Sequence, residues 1–341
     1  MKKIFLIGLT AAAMMASCSN DETVEMAQQK AISFSNAFVN NGTRSIVDPS
    51  FTTGSLQDFA VYGFTQKGQI FNGEKVSKGG TAWSYDNVQY WVPGNTYTFG
   101  AIAPYSVAGN VSNVTLPTGA AKVEMKVAFT NTDADQVDLL HAEPAQITGV
   151  TASYTAPVFM TFNHQLSKVK FSFQNSVGEG YNVKVSNVKI TDAFKEGTLT
   201  VAATGNTWGG QTDKTLELNF GNVVANASST EASAIAYAAT LESYNEKLMI
   251  PMGSSAIYTV TFTAELFKDN VPLGIYNHRV EIKNVEFKLG YCYNFKASLT
   301  HENITGQDEL NPIVFDVKKV EDWNQAESNK DLNVPKTQSG I

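Results

Sequence analysis

Tyr258-Thr259-Val260-Thr261-Phe262-Thr263-Ala264-Glu265-Leu266 carries five apolar side chains on alternate residues, with three threonines and a glutamate between them. An extended chain, whose side chains point to opposite faces in turn, sorts these two sets onto separate surfaces; a helix would scatter them. The β-branched and aromatic residues also suit a pleated, half-buried surface. The alternation returns at Tyr291, Tyr293, Phe295, Ala297 and Leu299, and at Tyr97, Phe99 and Ala101. Residues 59–64 form another strand-like run and residues 31–35 a shorter one. Such runs, separated by Gly, Asn and Asp, predict an all-β chain of antiparallel sheets, each with one wet face, layered as β-sandwiches.

Three stretches qualify this pattern. Met160, Phe162, His164 and Leu166 share a face, whereas Val169, Phe171 and Phe173 have the opposite parity. A bulge or sharp bend near Ser167-Lys168 would reconcile them. Residues 142–157 hold two prolines and little periodicity, which places a domain boundary near residue 150. Residues 231–242 are alanine-rich and read as either helix or loop.

At 341 residues the chain has room for about two domains. Charged residues are 17% and the formal net charge is −7. A nucleic-acid binder needs a Lys/Arg surplus to neutralise phosphates, so nucleic acid is excluded as a partner. Two cysteines cannot form a disulfide framework.

The first cysteine belongs to an N-terminal address. Lys2 and Lys3 precede an apolar run from Ile4 to Ala16, which Ser17-Cys18 ends. The run has signal-peptide proportions and is too short for a permanent membrane span. A small residue ahead of a single cysteine predicts lipoprotein processing, with Cys18 as the lipidated first residue of the mature protein. Palmitate and further acyl chains on one residue would anchor it stably. Residues 1–17 are then the signal peptide and 18–30 a flexible tether. The acidic Asp21-Glu22 resembles the surface-export signal of Bacteroidetes lipoproteins.

Catalytic and metal motifs are lacking. His141, His164, His278 and His301 are isolated, and no HExxH, GxSxG, Walker or dinucleotide fingerprint occurs. Ser167 and Lys170 match SxxK, but on a strand their side chains face opposite ways. Asn131-x-Asp133-x-Asp135 opens like a calcium loop, yet Gln136 and Ala142 stand where an EF-hand needs Gly and Glu. Cys292, on a strand with no His or Cys nearby, reads as an inert structural thiol. The expectation is no enzyme, no cofactor and no metal.

Several segments together resemble the fimbrillin family of Bacteroidales: residues 89–93, 97–104, 138–142, 160–169 and 290–295, ending with Val320-Glu321-Asp322-Trp323. The resemblance implies two transthyretin-like β-sandwich domains in tandem, residues 31–150 and 151–323, followed by a polar tail at 324–341. It implies a fimbrial (pilus) subunit or adhesin at the cell outer membrane, exposed at the surface within a fimbrium. Its partners would be other fimbrial subunits, in a homo- or hetero-polymer, and host or bacterial surface ligands. In polymerising members a protease cuts after an arginine, removing a first strand so that a strand from the next subunit fills the groove. Arg44, in Gly42-Thr43-Arg44-Ser45, resembles that site, with Ser45 as the new N-terminus; an ordinary exposed-turn arginine fits the same residues. The alternative function is a non-polymerising surface lipoprotein that stacks glycans on Trp83, Trp91 or Trp208. In the tail only Leu332 and Val334 alternate before Pro335, which makes it a poor donor strand and predicts a capping or decorating role.

Overall fold

The computed structural model describes residues 30–39, 56–80, 82–252, 256–306 and 312–322. Cys18, Arg44, Ser45, Trp323 and the tail from 324 lie outside them. The first half contains β1 (Phe34–Val39), β2 (Asp58–Thr65), β3 (Gly68–Gly79), β4 (Ala82–Ser84), β5 (Tyr97–Ala103), β6 (Val111–Thr115), β7 (Glu124–Thr130), β8 (Leu140–Ala142) and β9 (Val158–His164). Next come β10 (Ser167–Asn175), β11 (Tyr181–Ala193), β12 (Glu196–Val201), β13 (Thr207–Gly209), β14 (Leu216–Gly221), β15 (Val223–Val224), β16 (Ile235–Ala236), β17 (Thr240–Ser243) and β18 (Lys247–Met249). The chain continues through β19 (Tyr258–Lys268), β20 (Val271–Ile282), β21 (Tyr291–Leu299), the short helix α1 (His301–Thr305) and β22 (Phe315–Asp322). The protein is all-β, as its alternation predicts.

These strands form four sheets. The largest runs β1-β9-β8-β5-β2-β3-β4 and curls until β1 comes up against β4. Its concave side holds Phe34, Phe59, Phe71, Phe99, Phe162 and Trp91. A four-stranded sheet, β13-β12-β7-β6, covers part of its convex side. The other two sheets run β15-β17-β10-β21-β22, with β18 also on β10, and β14-β11-β19-β20, with β16 also on β11. Their facing residues, among them Phe171, Phe173, Phe220, Phe262 and Phe295, form one continuous core. Among the described residues, strand pairing crosses residue 150 three times, since β9 joins both β1 and β8 and β12 joins β7.

β19 follows the sequence pattern closely. Tyr258, Val260, Phe262, Ala264 and Leu266 are buried, while Thr261, Thr263 and Glu265 are half-exposed. Its hairpin to β20 turns through Asp269 and Asn270, both at positive φ, a conformation these two residue types tolerate.

β5 departs from the expectation of one wet face, because all seven of its residues are buried. Gly100 explains the difference. A Cβ there would lie 3.1 Å from Val123 and 3.3 Å from Met125, so the missing side chain lets the four-stranded sheet close on the second face.

The parity change at 160–173 is a change of sheet. β9 ends at His164 and β10 begins at Ser167 in a different sheet. Gln165 N–H donates to Leu139 O, and Leu166 O accepts from Gly290 N–H, so one peptide step passes the chain from the first group of sheets to the second.

Residues 231–242 form no helix. Their backbone is claimed by β11 through β16, by Asn175, whose Nδ2 donates to Ile235 O, and by β10 through β17. Ala238 sits at φ 64°, which no α-helix permits. The helix that does form, α1, starts on a capping box of Thr300 and Asn303.

Candidate functional site

The site is the N-terminal strand and the slot that holds it. Residues 30–32 bond to one wall: Trp91 N–H donates to Lys30 O at 2.9 Å and Ile32 N–H to Gln89 O at 2.8 Å. The Tyr85 hydroxyl donates to Ile32 O at 2.7 Å. Burial and the neighbouring Glu74 and Tyr90 raise the Tyr85 phenol, against a backbone hydrogen bond at Gln89 that lowers it, so it stays protonated. From residue 33 onward the segment bonds to the other wall. Val158 N–H donates to Ser33 O at 2.7 Å, and β1 runs parallel to β9 with Phe34 beside Val158 and Ser35 beside Phe159.

Ile32 and Phe34 point inward, with 1% and 4% of their surface exposed. The Phe34 ring meets Phe59, Phe71, Tyr85 and Phe99 with centroids 5.6–6.1 Å away, all edge-on. The strand therefore closes the curled sheet on the side where β9 and β4 would otherwise stand apart. β1 ends at Val39, ahead of Arg44, and β2 begins at Asp58.

The segments that carry the family resemblance meet one another. β8 pairs with β9, placing Leu140 beside His164 and Ala142 beside Phe162. His164 Nδ1 lies 2.9 Å from Asp138 Oδ2, so the partner of this buried ring is a carboxylate, where a carbonyl is the commoner expectation. β10 runs parallel to β21, with Lys168 beside Cys292, and β22 completes that sheet on β21. Lys168 also pairs with Glu246 at 3.0 Å. Burial works to lower the Lys168 ammonium, but Cys292, Glu246 and Asp138 together raise it. Cys292 is half-buried with this cation alongside, a neighbour that a search for His and Cys misses.

One recurring device escaped the sequence reading. Val92 N–H donates to the Tyr97 hydroxyl at 2.7 Å, and Lys288 N–H donates to the Tyr293 hydroxyl at the same distance. An aromatic ring six residues earlier packs on each tyrosine, Trp91 at 4.7 Å and Phe287 at 4.8 Å. Gly94 and Gly290, both at positive φ, make the turns. The signal was Gly-x-x-Tyr-x-Phe, present at 94–99 and again at 290–295.

The remaining candidates have ordinary partners. Ser167 Oγ donates to Lys288 O and Lys170 Nζ to Glu242, so the SxxK pair does not meet. Asp133 pairs with Lys247 at 2.8 Å, and Asn131 turns inward to donate to Leu248 O. Trp91 is 2% exposed, Trp83 packs on Phe59, and Trp208 packs on Phe129 while donating to Gln165 O. Trp91 is therefore enclosed, whereas Trp83 and Trp208 stay half-buried.

The sequence profile of the fimbrillin-like family matches residues 43–323. Among solved structures, a fimbrial protein of Bacteroides vulgatus is similar at TM-score 0.61 and 15% identity, covering 86% of this chain and 99% of its own. A candidate cell adhesion protein of Bacteroides ovatus is similar at TM-score 0.50 and 17% identity, covering 88% of this chain and 99% of its own. No functionally curated protein matches. These likenesses at low identity establish a shared fold, and the profile match over most of the sequence establishes kinship: the chain belongs to the fimbrillin-like family.

Proposed function

We propose that this chain is a fimbrial subunit or fimbrillin-like adhesin displayed on the outer membrane, whose precursor is lipid-anchored at Cys18 and which assembles by strand exchange once cleavage between Arg44 and Ser45 has removed that anchor together with the first strand. One observation carries the reading. The segment ahead of Arg44 occupies a slot between two backbones, with Ile32 and Phe34 seated in an aromatic pocket. Losing residues 18–44 would unpair both walls and empty that pocket. An extended segment of another fimbrial subunit, identical or different, satisfies both demands at once, through ladder hydrogen bonds and alternate apolar side chains. The family resemblance supplies the cut, and the N-terminal segment ending in Ser17-Cys18 supplies the anchor; the outer faces left free would meet host or bacterial ligands.

Two expected outcomes test this. Cys18→Ala should abolish incorporation of labelled palmitate and release the protein from membranes; continued labelling would refute the anchor. Arg44→Ala should leave the precursor N-terminus in place and suppress laddering in unboiled gels at least tenfold, without changing the urea midpoint. Unchanged processing and laddering would refute cleavage at Arg44.

A further inference from the structure

Far from the slot, β10 and β21 carry a polar group on the face they turn away from the core. The two strands run parallel, with Lys170 directly beside Asn294. Both side chains reach Glu242 of β17, the strand on the other side of β10. Lys170 Nζ lies 2.8 Å from Glu242 Oε2, and Asn294 Nδ2 donates to Glu242 Oε1 at 3.3 Å. Glu246 Oε1 stands farther from the same ammonium, at 3.9 Å. A carboxylate only accepts, so the amide nitrogen of Asn294 faces it. Its Oδ1 is left for the Ser172 hydroxyl, which donates at 2.6 Å. Ser172 is 1% exposed and the Lys170 side chain 15%, while the Glu242 side chain keeps 41% of its surface in water. One step earlier in the same register Lys168 stands beside Cys292, whose side chain has no carbonyl.

We propose that Lys170 and Asn294 join in an intramolecular isopeptide bond, with Glu242 as the proton carrier. Exchange of one amide for another needs a nucleophilic amine, an acyl carbon and a group that moves protons between the entering and leaving nitrogens. All three are present and touching. The Nζ–Cγ bond forms and the Cγ–Nδ2 bond breaks. Nζ gives up two protons, both by way of Glu242, to Nδ2, which leaves as ammonium. The carboxylate is thereby regenerated, and the positive charge of the lysine departs with the leaving group. No oxidant or cofactor enters this balance. The Ser172 hydroxyl already points at the oxygen on which negative charge develops. Neighbouring strands lie about 4.8 Å apart, a gap that a lysine side chain spans easily, and fixed register spares amine and amide any search for each other. The wet side of Glu242 gives the ammonium its exit. The bond would tie residue 170 to residue 294 and limit how far the second half of the chain can unravel. The described residues hold a single cysteine, so no disulfide among them can do the same.

Tryptic digestion of the purified full chain, followed by mass spectrometry, tests the bond. The expected product is a branched peptide in which residues 169–184 are joined to residues 289–296, uncut after Lys170. It should be lighter by one ammonia than the two linear peptides together, and fragmentation should place the branch at Lys170 and Asn294. Asn294→Ala should yield linear peptides only. Glu242→Gln keeps the size of the side chain and an acceptor for Asn294, and should lower the branched fraction at least about tenfold, with circular dichroism unchanged. Linear peptides alone from the wild type would overturn the bond, whatever the variants do. Ammonia lost without a branch, or a branch between other residues, would overturn the assignment to this pair. Undiminished branching in folded Glu242→Gln would overturn the carboxylate as the proton carrier.

Discussion

Phe171→Ala should lower the unfolding free energy by about 3–5 kcal/mol, the range for deleting a large aromatic from a close-packed core. Phe171 is fully buried on β10, which lies between β17 and β18 on one side and β21 on the other. Its ring meets Phe220 of the facing sheet at 4.8 Å, Phe295 at 5.8 Å and Phe315 at the start of β22 at 5.2 Å. Truncation therefore loosens the contact between two sheets and removes a neighbour of the last strand. Relaxation cannot fill the void cheaply, because β10 is bonded along both edges and cannot shift inward alone. Urea titration followed by circular dichroism measures the change. A loss below about 1 kcal/mol would mean that the core is not packed around this ring. Phe159→Ala is the control, since its exposed side chain should move the midpoint by no more than about 0.5 kcal/mol.

What could be read beforehand follows from how local the information is. β19 was readable because its two faces meet different surroundings, core and water, and the sequence alternates to match. β5 has two buried faces, and the clue to the second is Gly100, which looks like an ordinary turn glycine until the sheet above it is known. Residues 231–242 have helix-forming composition, yet Asn175, β10 and β11 claim their backbone groups from elsewhere in the chain, and tertiary bonding overrides propensity. The parity change at Ser167 was visible in the sequence. Its cause, a change of sheet, needed the partners of both strands.

The slot was least readable of all. Residues 31–35 have the alternation of a strand, but nothing local says that their neighbours are residues 89–91 and 158–162, or that one pairing is parallel. The aromatic pocket around Phe34 draws on five separate segments for the same reason.

Stability should fall by about 2 kcal/mol between pH 7.5 and pH 5 through His141 alone, and by about 3 kcal/mol once the pH is below 4. His141 sits on β8 with 2% of its surface exposed, and burial pushes its imidazole down from 6.5 to about 4. Glu143 pulls the other way and Lys122 adds to the lowering, both more weakly than burial. Nδ1 lies 3.2 Å from the Asn206 amide nitrogen, so Nδ1 accepts and the proton rests on Nε2, which no acceptor reaches among the described residues. A second proton would displace the Asn206 bond and leave a cation in the core. The unfolded chain takes up that proton as the pH drops through 6.5, whereas the folded chain resists it until about 4. Over this window the unfolded state binds more protons, so acid favours unfolding. His278 adds in the same direction, its ring lowered by burial against Phe262. His141→Gln keeps an acceptor for Asn206 and removes the titration. Urea midpoints taken at half-unit intervals from pH 7.5 to 4.5 should fall less steeply in that variant than in the wild type. Parallel slopes in the two proteins would show that His141 is not held neutral by the fold.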